Sequence, residues 1–209
     1  MVTGIVMAAG LSRRMGTNKL LLCIDDIPQI KRMLYTIEKS KVENVIVIYS
    51  DKRVLEVIKD YELEEEQKSF KRMKIKTVYN QHPEGGQSES VKLGIYESDP
   101  RSQGYMFFVA DQPFLSPGVI DKILDTFMKN SEHIVVPLYN HNRGMPIIFP
   151  GKYRVDLLGV SGDKGGRSII DENQSETIFV PIEDGKAGED MDTMKDYEEA
   201  CKIDSERRR

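Results

Sequence analysis

The run Val6-Met7-Ala8-Ala9-Gly10-Leu11-Ser12-Arg13-Arg14-Met15-Gly16-Thr17-Asn18-Lys19 joins a string of small residues to the cations Arg13, Arg14 and Lys19. Ala8, Ala9, Gly10 and Ser12 let the backbone come close to a ligand, and glycine also admits positive φ. Successive backbone N–H groups in such a loop form an anion-binding concavity, and cations beside it suit a polyphosphate. The spacing is neither of the two common phosphate fingerprints. Gly10 and Gly16 stand too far apart for a Walker A loop, and no G-x-G-x-x-G is present here.

A second chemical signal is Phe107-Phe108-Val109-Ala110-Asp111-Gln112-Pro113, an apolar strand that ends on a carboxylate just before a proline turn. A carboxylate beside a triphosphate repels it unless a divalent cation bridges the two. Mg²⁺ (or Mn²⁺ in its place) is held through one or two carboxylates plus substrate phosphates. Asp190 and Asp192 share one face of an extended chain, and either completes a metal site opened by Asp111. Asp192 also reads as an N-cap for the closing helix, a part that Thr193 can play instead. In Glu84-Gly85-Gly86-Gln87-Ser88-Glu89-Ser90 a Gly-Gly pair leads into a helix with hydroxyls at Ser88 and Ser90, and Ser88 reads as its N-cap. A helix N-terminus of this kind suits an anion or a base edge. Gly162-Asp163-Lys164-Gly165-Gly166-Arg167, preceded by Arg143-Gly144-Met145-Pro146, exposes backbone near cations and suits a second anionic substrate.

The elements that must carry these residues alternate. Strand-like runs at 3–7, 44–49, 74–79, 105–110 and 133–139 are separated by helical patterns at 28–39, 54–63, 88–96 and from Ser116-Pro117 onward. Such alternation predicts βαβ units and a mostly parallel sheet covered on both faces. The runs 133–139 and 145–149, joined by a turn, read as a small antiparallel elaboration, and a last helix spans about 193–203. The fold class is therefore α/β. Residues 1–203 are expected to form one domain, with a nucleotide half at about 1–115 and an acceptor half at about 116–203, and 204–209 a flexible tail.

A net charge of −4 and a pI near 5.5 argue against a general nucleic-acid binder, whose footprint would be basic. No apolar run approaches the ~20 residues that span a bilayer, and the start of the chain lacks the pattern of a secretory signal. Cys23 and Cys201 read as free thiols in a reducing compartment, so the expected location is cytoplasmic. Neither has zinc spacing with His82, His133 or His141.

Taken together, these motifs resemble the molybdenum cofactor cytidylyltransferase family, within the larger group of nucleotidyltransferases, over about residues 4–198. The resemblance implies a Rossmann-like three-layer fold. It also implies transfer of CMP from CTP to the terminal phosphate of molybdopterin, with release of pyrophosphate. Carried across by motif, Arg14 and Lys19 would stabilise the triphosphate in the transition state, and Asp111 and Asp192 would hold Mg²⁺. Ala8, Ala9, Gly10 and Ser12, with Gly86, Gln87, Ser88 and Ser90, would frame the nucleotide. Gly144, Pro146, Asp163 and Arg167 would lie on the acceptor side. Ala8-Ala9-Gly10 resembles the cytidylyl branch, where guanylyltransferases read Leu-Ala-Gly-Gly. One departure stands out: Met145 occupies the place of a usual histidine and cannot hydrogen-bond as histidine would. Two other readings fit the same residues: a cytidylyltransferase for another small phosphate such as a sugar phosphate, and a non-catalytic CTP-binding carrier that serves a molybdoenzyme client.

Overall fold

The structure is a computed structural model, which describes residues 1–12, 15–66, 73–162 and 165–207. Arg13, Arg14, Asp163 and Lys164 lie outside them, so the expectations for Arg14 and Asp163 have no structural counterpart below.

The first half alternates as the pattern predicts: β1 (Val2–Ala8), α1 (Gln29–Glu38), β4 (Asn44–Tyr49), α2 (Lys52–Glu66), β5 (Lys74–Tyr79), α3 (Gln87–Glu97), β6 (Gly104–Val109) and α4 (Pro117–Lys129). A short antiparallel hairpin, β2 (Cys23–Ile24) and β3 (Ile27–Pro28), sits between β1 and α1. Ser116 caps α4 as its position before Pro117 predicts, accepting from the Val119 N–H at 3.3 Å. Beyond α4 come β7 (Ile134–Tyr139), β8 (Asn142–Arg143), β9 (Ile147–Pro150), α5 (Arg154–Leu158), α6 (Arg167–Glu172), β10 (Thr177–Ile182) and α7 (Met194–Arg207).

The main sheet runs in the order β10-β7-β9-β6-β1-β4-β5, with β8 paired to β7. β1 pairs in parallel with β4 and β6, β4 with β5, and β10 with β7. β9 is antiparallel to both β6 and β7. The expected antiparallel elaboration is present: β9 and the short β8 run against their neighbours, and β9 lies inside the sheet between β7 and β6. β7 and β10 resume the common direction on its far side, so the carboxyl ends of six strands open on one edge, where such sheets bind ligands.

Strand alternation sorts the core into two layers. Val6, Val45, Val47, Met106 and Phe108 face α1, α2 and α4, through Leu34, Ile58 and Phe127 among others. Ile5, Ile46, Ile48 and Phe107 face the opposite way, onto Val91 and Ile95 of α3 and Leu157 of α5. β6 is buried on both faces, as its unbroken apolar sequence demands. Gly94 lets α3 lie flat on β1: a Cβ there would overlap Ile5 Cγ2 and come within 3.0 Å of its Cδ1. Gly94→Ala is expected to destabilise the fold by about 1–3 kcal/mol through overpacking, read as a lower midpoint in urea with an unchanged slope. A neutral result would show that α3 can lift off β1 at no cost.

The closing helix continues to Arg207, into the 204–209 segment expected to be a flexible tail. The physical reason lies in Asp204, which accepts from Arg32 of α1 at 2.7 Å and ties that last turn to the body.

Candidate active site

The loop after β1 is shaped for close approach. Ser12 and Gly16 have φ of 46° and 66°, and a Cβ on Gly10 would meet nothing within 4 Å. Its far end is pinned. Asn18 Oδ1 accepts from the Leu20 N–H at 3.1 Å, and Ser12 Oγ accepts from the Lys19 N–H at 3.2 Å. Lys19 therefore has a fixed backbone and a movable side chain.

Its ammonium lies between two carboxylates from distant parts of the chain. Lys19 Nζ pairs with Asp111 Oδ2 in a very short contact and donates to Asp192 Oδ1 at 2.7 Å. The Lys19 and Asp111 side chains are 13% and 16% exposed, and that of Asp192 is 43% exposed. Burial works against the Lys19 charge, but the charge of Asp111, with hydrogen bonds to Asp111 and Asp192, outweighs it and holds the pKa above the usual lysine value. Asp111 Oδ1 is buried and has no hydrogen-bond partner among the described residues.

Three groups of contacts bring Asp192 here. The Met191 N–H donates to the Asp111 carbonyl at 2.9 Å. Gln112 Nε2 donates to the Gly188 carbonyl at 3.2 Å and to Asp190 Oδ1 at 3.0 Å. Asp196 Oδ2 accepts from the N–H groups of Asp192 and Thr193 while Thr193 Oγ1 accepts from the Asp196 N–H, a reciprocal cap for α7. Thr193 caps the helix, which leaves the Asp192 carboxylate to turn inward.

Of the two aspartates in this segment, Asp190 is the one held against Gln112 rather than Lys19. Protein crowding and then the Asp111 charge push its carboxyl up to about 6, against the Gln112 hydrogen bond and Lys19. Its outer face is exposed, so solvent screens part of that cost. A folded pKa above the unfolded one means that the folded state binds the extra proton. The associated stability is full below the unfolded value of 3.8 and is lost as pH rises through about 6. Asp190→Asn should therefore stabilise the protein near neutrality, by about 1 kcal/mol or roughly 2–4 °C in Tm, and the gain should vanish toward about pH 4. Melting curves across that range check it; a gain that ignores pH would assign it to something other than this carboxyl.

A cleft of about 400 Å³ opens above these residues, lined by Ala9, Gly10, Ser12, Gly86, Gln87, Ser90 and Asp192 among others. Its floor is Met7 and Val109, paired across β1 and β6. Met7, Leu11 and Glu84 stand inside the motifs read from the sequence without being singled out as site residues, and Pro83 and Val109 were not among the site residues either, although residues at the carboxyl ends of two adjacent parallel strands lie at this edge. The Ala8 side chain is buried in the core layer under α1, because the strand pleat turns it away from Met7, which leaves its part beside a ligand to its backbone. One expectation needs correction. Ser88 is buried in the first turn of α3, where it donates to the Gly85 carbonyl at 3.3 Å and neither caps the helix nor lines the cleft. The α3 N-cap is Gly86, whose φ of 85° strains any other residue.

A second, mainly apolar pocket shares Met7 and Gln87 with the first and continues over Val91, Phe107, Met145 and Phe149 to Arg143 and Arg167 at its edge. Gly144 lines it as expected. Pro146 does not; it is buried beneath. Arg143 pairs with Asp171 at 2.5 Å, and the Tyr139 hydroxyl donates to the Met145 carbonyl at 2.7 Å. Among the described residues no helix is long and apolar enough to cross a membrane.

Among the described residues no group of three His, Cys, Asp or Glu forms a ready-made metal cage. The donor set at Lys19 nevertheless suits a hard divalent ion that takes its remaining ligands from a bound phosphate: two carboxylates converge on one cation, and one buried carboxylate oxygen lacks a partner.

Comparison with known proteins fits this geometry. Residues 4–177 match the MobA-like NTP transferase domain. The chain is 28% identical over 199 residues to the purine catabolism protein PucB of Bacillus subtilis, covering 93% of each. It is 25% identical over 148 residues to the probable molybdenum cofactor guanylyltransferase of Thermococcus sibiricus, covering 69% of this chain and 65% of that one. In fold it matches Rv0371c of Mycobacterium tuberculosis with a TM-score of 0.77 at 22% identity, over 96% and 97% of the two chains. A manganese complex of that protein matches with a TM-score of 0.72 at 20% identity, over 96% and 98%.

Proposed function

As a member of the MobA-like NTP transferase family, the chain is a nucleotidyltransferase, and we propose that it transfers CMP from CTP to the terminal phosphate of molybdopterin, releasing pyrophosphate. The observation that carries the reading is the placement of Lys19, Asp111 and Asp192 at the mouth of a nucleotide-sized cleft that runs on into a mainly apolar pocket edged by Arg143 and Arg167. The triphosphate lies along the Gly10–Lys19 loop and the base toward Gly86 and Gln87. The acceptor's flat body fills the second pocket, where Met145 offers thioether packing to an aromatic ring, and its phosphate faces back toward the cleft.

An acceptor phosphate oxygen attacks the α-phosphorus in line. One P–O bond forms, the bond to the β-phosphate bridge breaks, and pyrophosphate leaves with the electron pair. The attacking oxygen is already an anion, so no general base is needed, and among the described residues lining the cleft none is His or Cys. Positioning and electrostatics carry such a reaction. Lys19 and Arg14 offset charge that grows on the triphosphate oxygens. Asp111 and Asp192 would hold Mg²⁺ or Mn²⁺, and a manganese complex is known for a protein of the same fold. The ion, when bound, supplies Lewis-acid neutralisation of the phosphates. Ala8-Ala9-Gly10 favours cytosine; the name of the Thermococcus relative keeps guanine as the reading to beat.

Pyrophosphate release from CTP, GTP and ATP with Mg²⁺, each alone, with molybdenum-loaded molybdopterin and with a panel of sugar phosphates, tests both substrates. Release confined to CTP plus the cofactor is the expected result. Release with GTP reassigns the base. Release only with a sugar phosphate reassigns the acceptor, and tight CTP binding without any release favours a carrier.

A further inference from the structure

Lys19 holds the position that the proposed function gives to a divalent ion. Its Nζ contacts one oxygen of Asp111 and one of Asp192. These are the carboxylates read as metal ligands, and they come together from the end of β6 and the approach to α7. A third carboxylate, Asp190, stands two residues before Asp192, held by Gln112 at 3.0 Å. With its ammonium removed, this cluster would be a set of like charges at short range, which is costly unless another cation enters.

The Lys19 N–H is held by Ser12 and the next N–H, that of Leu20, by Asn18, but a lysine side chain swings on a flexible four-carbon stem. The open cleft begins at Asp192, with Gly10 and Ser12 on its wall. One ammonium can therefore serve the carboxylates or a phosphate in the cleft, while the unpartnered Asp111 Oδ1 leaves the acidic site short of a donor even with Lys19 in place.

We propose that Lys19 is a resident counter-ion of the Asp111–Asp192 pair and competes with the divalent cation for it, so that Lys19 is released toward the triphosphate only when the cation has taken the carboxylates. The catalytic cation is thereby armed by metal loading, and nucleotide that arrives without metal meets a lysine already engaged. The inference rests on the reading of Asp111 and Asp192 as metal ligands.

Mn²⁺ titration followed by electron paramagnetic resonance, without nucleotide, tests it on the full chain. Lys19→Met should bind Mn²⁺ about tenfold or more tightly than the wild type, since a unit charge a few ångströms from the ion is removed. Lys19→Arg, which keeps the charge, should not. Lys19→Met should also melt lower than wild type without Mn²⁺ and recover with it. Equal or weaker Mn²⁺ binding in Lys19→Met overturns the competition. The double variant Lys19→Met/Asp111→Asn separates the two readings. Loss of Mn²⁺ in the double variant keeps the metal site even where the competition fails, and undiminished binding removes the metal site itself. A measurement on the wild type covers the case in which the variants fold poorly. The Lys19 ammonium should give a protected ¹⁵N resonance that disappears at saturating Mg²⁺, and its persistence would sink the proposal.

Discussion

Lys19→Ala lowers kcat for CTP-dependent pyrophosphate release about 10²–10³-fold and changes the dissociation constant of CTP by less than about threefold. The asymmetry follows from where charge develops. In the ground state the triphosphate already has the loop backbone and other cations as partners, so one more ammonium adds little to binding. In the transition state the bridging oxygen gains charge, and a positioned ammonium gains most of its value there. Stopped-flow turnover with separate equilibrium binding of CTP distinguishes the effects. A rise in KM with kcat intact would make Lys19 a uniform binding contact. Lys19→Arg should recover only part of the loss, because a planar guanidinium does not reproduce a point charge on a flexible stem. The alanine variant should lose turnover while gaining affinity for Mn²⁺. That pair of changes distinguishes it from damage to the metal site, which would lower both.

How much of this was legible in the sequence depends on the range of the signal. The first βαβ units were clear because periodicity and caps are local: Ser116-Pro117 starts α4 where it should, and the apolar run of β6 ends beside Asp111. Asp111 and Lys19 were legible because each follows a strand whose carboxyl end must face the ligand edge. The choice between Asp190 and Asp192 was open. It turns on which residue caps α7 and on the Met191–Asp111 backbone bond, and only folding brings those groups together. β10 went unpredicted because Thr177–Ile182 contains Pro181 and is only half-buried at a sheet edge, where strand patterning is weak. Ser88 was misjudged because a serine just past Gly-Gly looks like a cap, while the cap falls two residues earlier, on Gly86, and the hydroxyl turns back to the Gly85 carbonyl. The second pocket has no sequence signature, since its walls come from several elements that meet only in the folded sheet.

Asp111→Asn should reduce metal-dependent turnover by about 10³-fold or more, which corresponds to several kcal/mol of transition-state stabilisation, with no comparable loss of stability. The substitution is a clean one. The tether that brings Asp192 to the site uses the Asp111 backbone carbonyl, which accepts from the Met191 N–H at 2.9 Å and is untouched by a change of side chain. Lys19 keeps its bond to Asp192 at 2.7 Å. What disappears is one negative charge and the oxygen that has no partner among the described residues. Losing that charge also relieves Asp190, because Asp111 is the second largest cause of its raised pKa. The Asp190 carboxyl should therefore titrate lower in the variant, as ¹³C chemical shifts would report. A fall in turnover with a lowered Asp190 pKa and unchanged melting would locate the defect in the missing carboxylate. Near-wild-type turnover in Asp111→Asn, with either Mg²⁺ or Mn²⁺, would remove Asp111 from the chemistry and leave Asp192 to hold the ion alone.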